Sequence, residues 1–223
     1  MYLSLSYRIN ENSPGWPGNP KLEIEPFLVQ AKGYSINHHK IMLFNHFGTH
    51  IDGPNHFNAT GAKIADLPFD FFIFERPVVL DVLKGDAELI TAADLQAQHD
   101  RIAEADLVIF RTGFGRYRTL DPERYAARFP GISIEAGHYI VENLPRIRGI
   151  GVDTISIGCY SNLDEALGVH YVLAKESDKG RHIVNLEDLN LDYDLRRLRR
   201  VLAMPLPIDR IDSAPAIILA EVE

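Results

Sequence analysis

Residues 106–113 read Asp106-Leu107-Val108-Ile109-Phe110-Arg111-Thr112-Gly113. An uninterrupted apolar run this short, closed by a glycine, predicts a buried β-strand. Upstream, Arg76-Pro77-Val78-Val79-Leu80-Asp81-Val82-Leu83 is a second such run, ending near Gly85. Between them Thr91 heads a helix through about Glu104, with Asp94 three residues on as an approximate capping box. Downstream, Asp121-Pro122-Glu123 offers an N-cap, a proline at the first helical position and an acid in the first turn. A helix around 134–144 leads to a further strand, Ile150-Gly151-Val152-Asp153-Thr154-Ile155-Ser156-Ile157. Leu167, His170, Tyr171 and Ala174 are spaced as on one helix over 164–175. Extended pieces are expected at 34–44, 183–191, 201–208 and 214–222, and Leu3, Leu5 and Tyr7 alternate at the start. Asn12-Ser13-Pro14-Gly15-Trp16-Pro17-Gly18-Asn19-Pro20 can only be turns or loop. Helices and strands alternate without a repeat or a linker, so residues 1–223 are expected to form one mixed α/β domain.

The composition agrees. With 223 residues, 46% hydrophobic and 24% charged, the chain can bury a core without staples. One cysteine excludes a disulfide scaffold and a cysteine-rich zinc module. A net charge of −8 argues against nucleic acid, because phosphates select a basic face. Met1-Tyr2-Leu3-Ser4-Leu5-Ser6-Tyr7-Arg8 lacks the basic and apolar regions of a signal peptide, and the longest apolar run, Ala216–Ala220, is far below the ~20 residues of a membrane helix. No membrane partner and a cytoplasmic location are therefore expected.

Chemistry concentrates in His46-Phe47-Gly48-Thr49-His50-Ile51-Asp52-Gly53-Pro54-Asn55-His56-Phe57. Three imidazoles and a carboxylate fall within eleven positions, and imidazole nitrogen with carboxylate oxygen suits borderline divalent metals. A helix would turn Asp52 and His56 away from His46 and His50. A straight strand would spread the four over about 33 Å, at roughly 3.3 Å per residue. Gly48, Gly53 and Pro54 let the chain curl, so a compact loop is expected to converge them. Scattered histidines capping turns are the bland alternative, and four ligand-type groups in one loop outweigh it.

This stretch carries the pattern H-x-G-T-H-x-D-x-P-x-H and resembles the cyclase family of metal-dependent hydrolases, which includes bacterial kynurenine formamidase and isatin hydrolase. Trp16-Pro17-Gly18 is similar to the family's tryptophan loop, Arg111-Thr112-Gly113 to its R-T-G segment, and Gly151-Val152-Asp153-Thr154-Ile155-Ser156 to its G-x-D-T-x-S strand. The resemblance implies a single-domain α/β fold, a mixed β/β/α sandwich or partial barrel, assembled as homodimers or homotetramers. It implies that His46, His50 and Asp52 hold a first metal, that Asp52 bridges to a second held by His170 and Glu187, and that Glu187 also touches the first. His56 would be the acid/base, and Trp16 would line the substrate pocket. The ion would be zinc first and manganese second, one or two per subunit, acting on a small amide or lactam. The connection from His170 to Glu187 is longer than the resemblance implies, which makes Glu176 and His182 rival ligands. Leu186-Glu187-Asp188-Leu189 favours Glu187 through the family's acid-then-leucine pattern.

The chemistry of hydrolysis is consistent with these roles. Divalent cations lower the pKa of water and polarise a carbonyl, and an amide nitrogen needs a proton to leave, which a histidine can give near neutral pH. The leading function is amide hydrolysis resembling kynurenine formamidase. The alternative is a metal-containing small-molecule binding protein without turnover, which would not need His56. Weaker signals read blandly: Cys159 as a buried apolar residue, Arg196–Arg200 as a solvated face, His38 and His39 as surface histidines. Asp153 either orients a ligand histidine or is satisfied by backbone. No G-x-S-x-G and no complete dinucleotide loop are present.

Overall fold

The computed structural model describes residues 1–223. Its main sheet has nine strands. Four run parallel side by side: Pro77–Asp81, Leu107–Arg111, Gly149–Val152 and Val184–Glu187. The sheet continues antiparallel through His50–Asp52, Ser213–Val222, Leu198–Pro205 and Ile73–Phe74, with Tyr2–Ser4 also pairing to Ser213–Val222. Its two end strands, Ile73–Phe74 and Pro77–Asp81, are separated in the chain only by Glu75 and Arg76. The sheet therefore curls nearly closed, as expected of a partial barrel.

Side-chain alternation explains why the 106–113 run is apolar throughout. Leu107 and Ile109 enter one core with Ile51, Leu186, Val201 and Ile218. Val108 and Phe110 point to a second core, where Leu95, Ala136, Ile140, Val169 and Leu173 bring the helices onto the sheet. A strand buried on both faces has no polar positions to alternate. The helices are Ala92–Gln96, His99–Ile102, Tyr117–Leu120, Pro122–Arg128, Ile134–Asn143 and Leu163–Ala174. None is long and apolar enough to cross a membrane.

Three sequence expectations shift. The Thr91 cap forms, its side chain accepting from the Asp94 N–H, but the expected single helix breaks at Gln98 into two short ones. The strand expected over 150–157 stops at Val152. There the buried Asp153 carboxylate accepts from the N–H groups of Thr112 and Gly113 and from the Thr112 hydroxyl, and this capture of loop donors bends the chain. The histidine stretch is not loop throughout. His50–Asp52 is a strand inside the sheet, and Pro54–His56 is a short 3-10 turn.

Asp188, directly after Glu187, adopts a left-handed φ of 54°. Its carboxylate receives Arg118 through Nε at 2.8 Å and Nη2 at 2.8 Å, and the Tyr125 hydroxyl at 2.7 Å. Its backbone carbonyl accepts from the Thr49 hydroxyl at 2.7 Å, tying this turn to the histidine stretch. Replacing Asp188 with alanine would leave the Arg118 guanidinium buried without a counter-ion. A loss of about 3–5 kcal/mol is expected, read as a lowered urea midpoint. An unchanged midpoint would show that water reaches and solvates Arg118.

Candidate metal centre

The register of the central strand assembles the site. His50–Asp52 lies between Val184–Glu187, which sets Glu187 opposite His50, and Ser213–Val222, which sets Ser213 opposite Asp52. Period-2 alternation puts His50 and Asp52 on one face while Ile51 enters the core on the other. His46 arrives from the turn before, where Gly48 takes a φ of +67° and leaves no room for a Cβ, which would lie 2.4 Å from Ile9 Cγ2. His56 returns from the turn after. Gly53 permits that turn: its N–H donates to the Asp212 carbonyl at 2.8 Å, and a Cβ would sit 2.9 Å from that oxygen. The helix Leu163–Ala174, capped by the Asn162 side chain, delivers His170.

The donor atoms converge. His50 Nε2 lies 3.3 Å from Asp52 Oδ1 and 3.3 Å from Glu187 Oε2. His46 Nδ1 approaches Asp52 Oδ1 to 2.9 Å, and His170 Nε2 stands 3.6 Å from Glu187 Oε1. Two groups have ligand atoms all within 4.8 Å of one another, His46 with Asp52 and His56, and His50 with Asp52 and Glu187. Asp52 belongs to both. His170 belongs to neither at that spacing, and His56 joins a group although the family resemblance implies an acid/base role for it rather than a metal.

Each histidine also has a second nitrogen held elsewhere. His50 Nδ1 donates to the Gly48 carbonyl at 2.9 Å, and His170 Nδ1 donates to the Ala166 carbonyl at 2.7 Å. In the neutral rings these bonds fix the tautomer and leave Nε2 of both as the lone pair facing the carboxylates. Glu187 Oε1 accepts from the Ser156 hydroxyl at 3.0 Å and the Ile157 N–H at 2.8 Å. His50 Nε2 and both oxygens of Asp52 are buried with no hydrogen-bond partner. Buried polar atoms are nearly always satisfied. Two imidazole lone pairs and two buried carboxylates fit a divalent cation.

The electrostatics agree. Burial acts to lower the His46 pKa, but the charge of Asp52 and the hydrogen bond to Asp212 outweigh it and raise it to about 9. Burial likewise opposes charge on His50, yet Asp52 and Glu187 hold it well above its ordinary value. Burial would raise Asp52, but the charges of His56, His46 and His50 keep it well below the usual carboxylate range. The buried carboxylates thus favour positive charge at this cluster.

These groups line a cavity of about 400 Å³. Trp16, Phe44, Phe57, Leu163 and Leu167 form its apolar part, and none of its lining residues is Lys or Arg. Trp16 is held edge-on by Tyr160 at 5.2 Å and Phe129 at 5.9 Å, and Phe57 stacks on His170 at 4.7 Å. The structure brings together His46, His50, Asp52, His56, His170, Glu187 and Trp16 around this one cavity. The rival ligands lie elsewhere: Glu176 pairs with Lys179 and Arg181, and His182 with Ser177. Asp153 is satisfied by the 112–115 segment and touches no site histidine.

Sequence reasoning missed Asp212. Its Oδ2 lies 2.7 Å from His56 Nδ1 and 2.9 Å from His46 Nε2. It also passed over the role of Ser156, although that residue sits in a stretch the resemblance had singled out.

Comparison with known proteins gives a consistent picture. Residues 3–158 match the family model described as "Putative cyclase". The chain is 28% identical over 215 residues to a kynurenine formamidase of Bacillus cereus, covering 96% of this chain and 94% of that one. It is 39% identical over 108 residues to an uncharacterized protein of Haemophilus influenzae, 48% of this chain and 76% of the other. Among solved structures, isatin hydrolase A from Labrenzia aggregata, bound to benzyl benzoate, superposes with a TM-score of 0.82 at 23% identity, over 100% of this chain and 93% of that one.

Proposed function

This chain belongs to the cyclase family, and on that premise we propose that it is a metal-dependent hydrolase that opens an amide, either an aryl formamide or a cyclic amide. The observation that carries the proposal is the set of buried, unpartnered ligand atoms on His50 and Asp52 at the floor of an apolar cavity, with His56 beside them. His46, His50 and Asp52 would hold one divalent cation, and Asp52, His170 and Glu187 a second. A bound cation supplies Lewis acidity, making water nucleophilic near neutral pH and polarising the scissile carbonyl. Zinc and manganese both suit this nitrogen and oxygen set. Trp16, Phe44 and Phe57 receive the flat, apolar body of the substrate. His56 passes a proton to the departing nitrogen, which cannot leave as an anion. The lack of a lining cation favours a neutral substrate over one recognised through its own carboxylate. The similarity to formamidases and isatin hydrolases supports an amide as the bond cleaved.

Protein purified without added metal, analysed for its elements and assayed against small aryl formamides and lactams, tests this reading. Turnover that a chelator abolishes and zinc or manganese restores is expected. Stoichiometric metal with no turnover across both classes would favour the binding-protein alternative, and full turnover after metal removal would end the proposal.

A further inference from the structure

We infer that Asp212 is a positioning residue that fixes the ring tautomers of His46 and His56 together, and so joins the proton-transfer group to the metal centre through one carboxylate. The inference rests on the proposed hydrolase reading for its functional meaning, but its structural content can be tested alone.

The contacts of Asp212 divide cleanly. Oδ2 is shared between His56 Nδ1 at 2.7 Å and His46 Nε2 at 2.9 Å. Oδ1 accepts from the Asn45 side-chain amide at 2.9 Å, and the main-chain carbonyl accepts from Gly53 N–H. Asp212 is thus anchored from both sides of the histidine stretch, its carboxylate by Asn45 ahead of His46 and its main chain by Gly53 just beyond Asp52. An ionised carboxylate only accepts, so both nitrogens facing it carry hydrogen. A neutral imidazole has one N–H. With a cation in place of the second proton, His46 must then present Nδ1 as a lone pair, and Nδ1 is the atom 2.9 Å from Asp52 Oδ1. His56 must keep Nε2 as the nitrogen free to take and return a proton. The Ser213 hydroxyl also lies 3.0 Å from His46 Nε2, but a hydroxyl adapts to either tautomer, so the carboxylate decides. A carboxylate behind a metal-ligating histidine, and one behind an acid/base histidine, are each familiar arrangements. Here one oxygen serves both rings, whose centroids are 4.3 Å apart.

The test is long-range nitrogen–proton NMR of the imidazoles in zinc-loaded protein, at a pH where the His56 ring is neutral. His56 is expected as the Nδ1–H form in the wild type. In Asp212→Asn the Nε2–H form should appear, because an amide can turn its NH₂ toward Nδ1. Turnover should fall by roughly 10²–10⁴-fold, the share typical of a positioned acid/base, while Asp212→Glu should recover part of it. A carboxylate that merely stapled two loops would leave the tautomer unchanged, and that result overturns the inference. So does a wild-type His56 in the Nε2–H form, which needs no variant to fold. If the tautomers behave as expected but no amide is cleaved, the hydrolase reading fails and the placement of Asp212 stands.

Discussion

His50→Ala is expected to strip the protein of metal and of turnover together. His50 is buried, its Nδ1–H is committed to Gly48, and its Nε2 is directed at Asp52 and Glu187, 3.3 Å from an oxygen of each. Alanine would remove a ligand and leave two buried carboxylates facing one another across the gap, an arrangement that burial and mutual repulsion both penalise. Ligand binding to the native state alone stabilises it by about 4 kcal/mol at a thousandfold excess over Kd. Zinc or manganese should therefore raise the Tm of the wild type by several degrees and leave that of the variant unmoved. Dialysed His50→Ala should hold essentially no metal by elemental analysis and hydrolyse no amide. A variant that kept metal would place the ion on a set without His50, either His46, Asp52 and His56 or Asp52, His170 and Glu187.

The second large effect separates chemistry from metal binding. His56→Asn should keep wild-type metal content while kcat falls by roughly 10²–10⁴-fold, because an amide nitrogen must be protonated as the C–N bond breaks. Asp52 cannot supply that proton while it is a metal ligand, and His46 has its Nε2 committed to Asp212. The ring of His56 borders the cavity and is tied through Nδ1, which leaves one nitrogen for proton transfer. Its ligand atom also groups with those of His46 and Asp52, so metal loss in the variant would make it a ligand instead. Unchanged kcat would remove it from the mechanism.

The parts of this site legible in the sequence are those whose meaning is local. His46, His50, Asp52 and His56 announce themselves because four ligand-type side chains fall within eleven positions, broken by glycines that permit close turns. His170 and Glu187 carry no such spacing, and only the family resemblance pointed to them. Asp212 was illegible for a physical reason. It stands in Asp209-Arg210-Ile211-Asp212, a polar tract that looks like any solvated turn, and it reaches the histidines only because Ser213 pairs with Asp52 across the sheet. The same limit applied to the fold. Apolar runs and caps gave the strands and helices, but the early end at Val152 depends on donors that Thr112 and Gly113 bring to Asp153 from a segment about forty residues away. The expectation of a loop at 46–57 failed because a three-residue strand, with two polar side chains on one face, has no periodicity to read.

The pairing order has a consequence for how the chain acquires its shape. His50–Asp52 is bonded on one side to Val184–Glu187 and on the other to Ser213–Val222. Contacts between such distant segments close large loops and form slowly. During synthesis, at about 5–20 residues per second, the nascent strand waits with both edges open, and its ligands face neither Glu187 nor Asp212. A young chain therefore exposes the histidine stretch before it owns a site to fill. Metal captured then would be held by a few flexible side chains, weakly and without selectivity. On the proposed reading, the docking of Ser213–Val222 is the step that brings Asp212 behind His46 and His56, so a cation bound before it would meet histidines whose rings are not yet fixed.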